Sequence, residues 1–297
     1  METSPHFRLE QVAEGAWAAI AVPSGAAVAN AGIVALDDGA LVFDTFFTPA
    51  AGEDLRAAAE RLAGPVRFAV LSHAHLDHWG GAPAFAGAEV LASSRTAAAI
   101  AQTGQERVDS LRAEAPGYVD ELEGKLAAAP AGATAARLRD DLAQAHRVVQ
   151  ALFDLRVPAP TRTFDTAVEL GGGELRELGS GHSASDSVLW LARERVLFAG
   201  DLVVVDTHPS LSHGVPDEWL RILGELRALD PGTVVPGHGP VGGASEIDAV
   251  AAYIRRLRDV AGGQSDAELP GDYRTWAFPE VFEQNLEFLR ARAGVRT

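Results

Sequence analysis

Cysteine is absent from this 297-residue chain, which removes disulfides and thiolate metal sites from consideration. Lysine is nearly absent as well, because Lys125 is the sole one, and the remaining basic residues are scattered arginines. With 25 Lys and Arg against 41 Asp and Glu, the net charge is −16. A chain that grips nucleic acid carries a basic footprint, so this composition argues against such a partner. No apolar run reaches even about eighteen residues, so no membrane span is expected. The opening segment, Met1-Glu2-Thr3-Ser4-Pro5-His6, lacks the basic start and apolar stretch of a signal peptide. The expectation is therefore a cytoplasmic protein with no membrane and no nucleic acid among its partners.

What is present is a large apolar fraction, 47%, enough for a sizeable core. The length suits one large α/β domain, read as a single domain over residues 1–297 with a helical insertion at about 95–157. Residues 7–22 alternate weakly as an opening strand pair. Residues 29–36 and 40–44 read as two strands around Asp37-Asp38-Gly39, a hairpin turn signal. Leu55, Ala58, Ala59 and Leu62 recur at helical spacing before Gly64-Pro65. Strands at 66–71 and 89–92 complete a β-α-β order, the pattern of a layered α/β fold.

In the insertion, Leu138, Leu142, Ala145, Val149 and Leu152 mark one helix face, and Tyr118, Leu122 and Leu126 another. Pro130-Ala131-Gly132 separates them, so a helical hairpin is expected. It has three readings: a cover over the active site, a homodimer contact, or plain packing on the domain edge. From Phe164 the strand pattern resumes, at 168–170, 175–178, 187–191, 196–200 and 233–235. Helices are expected at 217–229, at 246–260 behind a Ser245 cap, and at about 279–293.

The chemistry concentrates in Ser72-His73-Ala74-His75-Leu76-Asp77-His78-Trp79-Gly80-Gly81, directly after the apolar run Phe68-Ala69-Val70-Leu71. Four metal-capable side chains fall within six residues. Imidazole nitrogen and carboxylate oxygen suit zinc, iron or manganese. So many polar groups converging without a shared partner would carry a large desolvation penalty. Further candidates follow strand-like runs downstream: His182 in Gly181-His182-Ser183, Asp201 in Phe198-Ala199-Gly200-Asp201, and His238 in Pro236-Gly237-His238-Gly239.

This ordered set resembles the signature of the metallo-β-lactamase superfamily, from about residue 28 to about 240. The resemblance implies a four-layer αββα sandwich and a dinuclear centre holding two Zn2+, with iron or manganese as alternatives. It assigns His73, His75 and His182 to one ion and Asp77, His78 and His238 to the other, with Asp201 bridging both. It implies a bridging hydroxide as nucleophile, and Asp77 as the catalytic group that orients it or passes a proton to the leaving group. Asp44, a carboxylate closing an apolar run, would support the metal loop by orienting ligating histidines. His208 and His213, on the loop after Asp201, are candidates for the substrate pocket, the alternative being ordinary surface histidines. His6 and His146 are read as incidental.

The expected reaction is hydrolysis of a small-molecule ester, lactone or thioester. The alternatives are a β-lactam or other amide, and a mononuclear-iron dioxygenase. Family β-lactamases usually carry Cys or Ser where Asp201 stands and are normally exported. Glyoxalase II-like thioesterases hold glutathione with basic residues, scarce here. Acyl-homoserine lactonases often carry Tyr three residues beyond the bridging Asp, where this chain has Val204. A complete set of seven ligands favours hydrolysis over oxygen chemistry.

Overall fold

The computed structural model describes residues 4–264 and 271–292. By its internal contacts the chain divides into two compact units, Met1–Asp165 and Thr166–Thr297.

The first unit is built on a seven-stranded sheet whose spatial order follows the chain. Its strands are β1 (Phe7–Ala13), β2 (Ala16–Ala21), β3 (Ala31–Leu36), β4 (Gly39–Phe43), β5 (Val66–Leu71), β6 (Glu89–Ser93) and β7 (Arg162–Phe164). β1 to β4 pair antiparallel through short turns. The expected hairpin at Asp37-Asp38-Gly39 is there, with Leu36 opposite Gly39. From β4 onward the pairing is parallel. Parallel neighbours need a crossover, and α1 (Pro49–Ala63) supplies the first. Its start is written locally: Thr48 accepts a hydrogen bond from Ala51 N and Pro49 takes the first turn, where a missing N–H does no harm. Gly64, at φ 87°, ends it. Leu55, Ala58 and Ala59 are buried against the sheet's Ile33, Val42 and Ala69 in one core cluster.

The helical hairpin is real. α3 (Ser94–Ala128) begins after the cap Ser93, whose hydroxyl accepts from Thr96 N at 2.9 Å, and α4 (Ala133–Leu152) returns after the Pro130-Ala131-Gly132 break. Unexpectedly, α3 continues through Pro116, which lies at an exposed position. Ile100, Val108 and Leu152 join the first unit's core, so the hairpin base is plain packing. Farther out, Leu122, Ala135 and Ala145 are buried, whereas Leu126, Leu138, Leu142 and Val149 are only half-buried. Arg112 Nε donates to Leu152 O at 2.9 Å across the pair, and Arg147 donates to Ser24 O at 2.6 Å.

The second unit carries a five-stranded sheet in the order β12-β11-β10-β9-β8. These are β8 (Ala167–Leu170), β9 (Gly173–Gly179), β10 (Asp186–Leu191), β11 (Val196–Phe198) and β12 (Thr233–Val235). Every residue of β10 is buried, and its last four, residues 188–191, form a continuous apolar run rather than an alternation. α5 (Pro216–Ala228) and α6 (Ala244–Ala261) bury Trp219, Ile222, Leu223, Val250, Ile254 and Leu257 with Val188 and Trp190. Each such side chain contributes roughly 1.5–3 kcal/mol of transfer free energy. α6 starts two residues earlier than expected. Gly243 is its N-cap without a side-chain bond, and the Ser245 hydroxyl donates to Glu246 instead of capping. The last helix, α7, spans Glu280–Arg292, and residue 293 of the expected range lies outside the described residues.

The architecture is mixed α/β, with two sheets and, among the described residues, seven α-helices once the single-turn α2 (Leu76–Trp79) is counted.

Candidate functional site

In the first unit, β4 and β5 are parallel neighbours with Phe43 beside Val70. Both therefore end at the same sheet edge, β4 in Asp44 and β5 in Ser72. Asp44 takes φ 61°, a left-handed conformation that Asp tolerates better than most residues, while its N–H still bonds Val70 O at 2.8 Å. Its side chain is 1% exposed and saturated with donors. Oδ1 accepts from Ser72 N, and Oδ2 accepts from the Ser72 hydroxyl and from His78 Nδ1, all at 2.8 Å. Asp44 thus ties the end of β4 to Ser72 and His78.

The loop itself is partly helical, a departure from the sequence reading. Leu76–Trp79 form one turn, α2, with His75 at its N-cap. That turn swings Asp77 and His78 back toward the two histidines that precede them. His73 and His78 have ring centroids 4.2 Å apart, and His73 Nε2 lies 3.1 Å from His75 Nδ1. His78 Nε2 lies 3.8 Å from Asp77 Oδ2. His73 and His78 are buried; His75 and Asp77 are half-buried. Thr45 N and Oγ1 both donate to His78 O, and Trp79 Nε1 donates to Ala74 O at 2.9 Å. Gly80 and Gly81 allow the closest approach: a Cβ on Gly80 would overlap Phe47 O, and one on Gly81 would overlap Thr45 O.

The second unit gathers the other three candidates. Asp201 sits in a 3-10 turn, Gly200–Leu202, that follows β11. His238 follows β12, which runs parallel to β11. The two loops are tied by Gly237 N to Gly200 O at 2.8 Å and Val205 N to His238 O at 3.0 Å. The Asp201 carboxylate faces two ways, with Oδ2 3.2 Å from His182 Nε2 and Oδ1 3.5 Å from His238 Nε2. Trp219 lies edge-on to His182 at 5.3 Å and donates from Nε1 to Leu202 O at 3.0 Å.

Asp186 was not legible as a site residue. It opens β10, is 3% exposed, and accepts from Gly181 N at 2.9 Å, Ser183 N at 3.0 Å and the Ser183 hydroxyl at 2.8 Å. These bonds wrap the Gly181–Ser183 turn around a carboxylate and so fix the backbone that presents His182. Burial pushes the Asp186 carboxyl above its ordinary range, partly offset by the His182 charge and the Ser183 and Gly181 donors. The only advance signal was an acidic residue at the head of an apolar strand.

His208 is 3% exposed, with Nδ1 2.9 Å from the Tyr253 hydroxyl and Tyr253, Trp276 and Phe282 rings around it. Its surroundings are the aromatic part of the second unit's core rather than a surface loop. Desolvation lowers its pKa, against weaker raising contributions from the Tyr273 backbone and Glu280. His213 is exposed. His146 is exposed on α4, 4.0 Å from Glu123.

The donor geometry fits cations. Two ligands bound at about 2.0–2.1 Å in a tetrahedral arrangement lie about 3.3 Å apart. His73 Nε2 and His75 Nδ1, at 3.1 Å, and His182 Nε2 and Asp201 Oδ2, at 3.2 Å, both approach that spacing. The all-imidazole and carboxylate donor set suits a divalent metal such as zinc.

Residues 24–238 match the family model described as the metallo-beta-lactamase superfamily. A metallo-beta-lactamase type 2 of Bacteroides fragilis is 34% identical over 109 residues, which is 34% of this chain and 44% of that protein. The chain thus spans less than half the length of this curated relative. Among solved structures, a metallo-beta-lactamase from Pontibacter korlensis matches with TM-score 0.59 at 22% identity, over 84% of this chain and 99% of the other. One from Hirschia baltica matches with TM-score 0.58 at 18% identity, over 84% and 98%. FIM-1 from Pseudomonas aeruginosa, in its mono-zinc form, matches with TM-score 0.59 at 15% identity, over 84% and 96%. At these identities the structures speak to the fold alone.

Proposed function

The chain belongs to the metallo-β-lactamase superfamily, and from that premise we propose that it is a dinuclear metal-dependent hydrolase of a small ester, lactone or thioester. His73, His75 and His182 would hold one cation, Asp77, His78 and His238 the second, and Asp201 would offer one oxygen to each. The observation that carries the reading is the Asp201 carboxylate, whose two oxygens address two different histidines within its own unit.

When bound, such a pair of ions polarises a carbonyl and brings the pKa of a water molecule toward neutrality. The chain's own groups do the rest. Asp44 holds His78 with its Nδ1 proton turned inward, which leaves Nε2 as the donor atom. Asp186 holds the turn that carries His182. Asp77 is half-buried, and its carboxylate is the group to orient a nucleophile or hand a proton to a departing oxygen, sulfur or nitrogen.

A second reading, hydrolysis of a β-lactam amide, is favoured by the name of the Bacteroides fragilis relative. Against it stands Asp201, where family β-lactamases usually carry Cys or Ser. The test is metal analysis of protein purified without added metal, followed by lactone, thioester and cephalosporin substrates. Two zinc per chain with lactone or thioester turnover supports the proposal. Preferential cephalosporin turnover transfers it to the second reading, and one iron per chain with oxygen consumption overturns both.

A further inference from the structure

We propose that Asn285 is a positioning residue for the turn that carries His182, acting from α7 through a strap of main chain, residues 205–215. All of these parts lie in the second unit. The strap is moored at both ends beside candidate ligands. At its start, Val205 N donates to His238 O at 3.0 Å. At its end, Val215 N donates to Gly181 O at 3.1 Å. Gly214 lies so close to that turn that a Cβ on it would overlap Gly181 O and press on the His182 carbonyl carbon. A shift of the strap toward the turn therefore meets backbone, and a shift away breaks the Val215 bond.

Midway along, Asn285 clasps the strap. Its Nδ2 donates to Pro209 O and its Oδ1 accepts from Leu211 N, both at 2.8 Å. The partners settle which end of the amide is which, since Leu211 N only donates and Pro209 O only accepts. Asn285 is 1% exposed and stands on α7 between Phe282 and Leu286, both buried in the second unit's core. A leucine would serve packing at such a position, whereas a buried amide costs free energy unless its bonds are made. What the amide adds is register. The apolar burial of Leu211 holds the strap down, and the two directional bonds fix where along α7 it sits. The earlier half of the strap has its own ties: Ala277 N donates to Asp206 O at 2.8 Å, and His208 N donates to Ala277 O at 3.2 Å. Asn285 takes the half that runs on to the His182 turn. The link to a metal rests on the hydrolase reading; the hold on the turn does not.

The experiment compares the metal-free parent, Asn285→Leu and Leu286→Ala by backbone amide exchange read residue by residue, with urea unfolding giving the global stability of each. Leu286→Ala removes buried carbons from the same helix and leaves the amide in place. In Asn285→Leu the Leu211 amide should exchange about tenfold faster or more, the factor that one net hydrogen bond carries. The Val215 amide should quicken with it. In Leu286→Ala both should change no more than the fall in global stability accounts for. A Val215 amide that stays protected in Asn285→Leu overturns the proposal. Equal loss in the two variants also overturns it, because the packing of α7 would then be the whole effect. Should Asn285→Leu not fold, Asn285→Ser carries the same expectations. In a zinc titration, Asn285→Leu should bind about 2–30-fold more weakly than Leu286→Ala, the span typical of a side chain acting on a site through its neighbours. Equal affinities would confine Asn285 to structure and overturn its positioning role. A parent that binds no zinc would overturn the hydrolase reading, while the exchange rates still decide the hold of Asn285 on the His182 turn.

Discussion

Asp44 and His78, 34 residues apart in the chain, meet in a 2.8 Å hydrogen bond with both side chains almost wholly out of solvent. The bond joins the end of β4 to the one-turn helix α2. It makes Asp44 the mechanical centre of the first unit's histidine cluster.

Replacing Asp44 with Ala strips the acceptor from three buried donors: Ser72 N, the Ser72 hydroxyl and His78 Nδ1. Each stranded buried donor costs about 1–3 kcal/mol. The metal-free variant should lose about 3 kcal/mol or more, read as a lower urea midpoint at unchanged m-value. A variant as stable as the parent would show that water replaces the carboxylate.

His75 behaves differently because it is half-buried at the N-cap of a single turn and makes no side-chain capping bond. His75→Ala should leave metal-free stability within about 0.5 kcal/mol, as for an ordinary surface change. Turnover should fall by more than the ~10–100-fold expected of an outer partner. Chelation of the parent should abolish turnover and lower its thermal midpoint. Zinc at about 100 times its Kd should return about 2.7 kcal/mol of stability.

His208 gives a pH signature. Its folded pKa lies below the ordinary 6.5, so below about pH 6.5 the unfolded chain takes up a proton that the folded chain refuses. Stability therefore falls as pH drops from about 6.5 toward the lowered folded pKa, and is unaffected by this group above that window. Asp186, raised by burial, works in the opposite direction as pH falls. The informative quantity is thus the difference between parent and His208→Phe, measured on metal-free protein by urea unfolding between about pH 7 and 5. The parent should show the steeper loss. Equal slopes would mean that His208 protonates freely in its aromatic surroundings.

Gly237 should tolerate no side chain. A Cβ there would overlap Asp201 Oδ1 and press on the Gly200–Asp201 backbone. Gly237→Ala should therefore displace Asp201, reducing metal stoichiometry as well as turnover, whereas the open Gly224 position on α5 should accept alanine with neither effect. Full metal content in Gly237→Ala would show that the aspartate moves aside at no functional loss.

Much of this was legible from residues alone, and the reason is local. β5 and β12 fall at 66–71 and 233–235 as read, because short apolar runs bounded by Gly, Pro or polar residues leave little choice. The Asp-Asp-Gly turn and the Pro-Ala-Gly break between α3 and α4 are likewise written in backbone preferences. What escaped depends on distant partners. β7 has three residues and exists because Leu91 to Ser93 lie beside it. Ser245 fits a capping pattern, yet Gly243 begins the helix. Asp186, Ser72 and Gly237 look like ordinary loop or strand-end residues until folding brings a histidine turn, a carboxylate or Asp201 against them.

The glycines beside the histidine cluster carry a last consequence. Gly80 and Gly81 press against the Thr45 and Phe47 carbonyls, and Gly52 of α1 presses against Gly81 in turn. Backbone is stacked on backbone there, with no flexible side chain to act as a cushion. Evolution can hardly retune this corner by small steps, since any added carbon would force main chain apart. An added carbon is accommodated instead in the outer reaches of the α3–α4 hairpin, where Gly117 and Gly124 have open space around them.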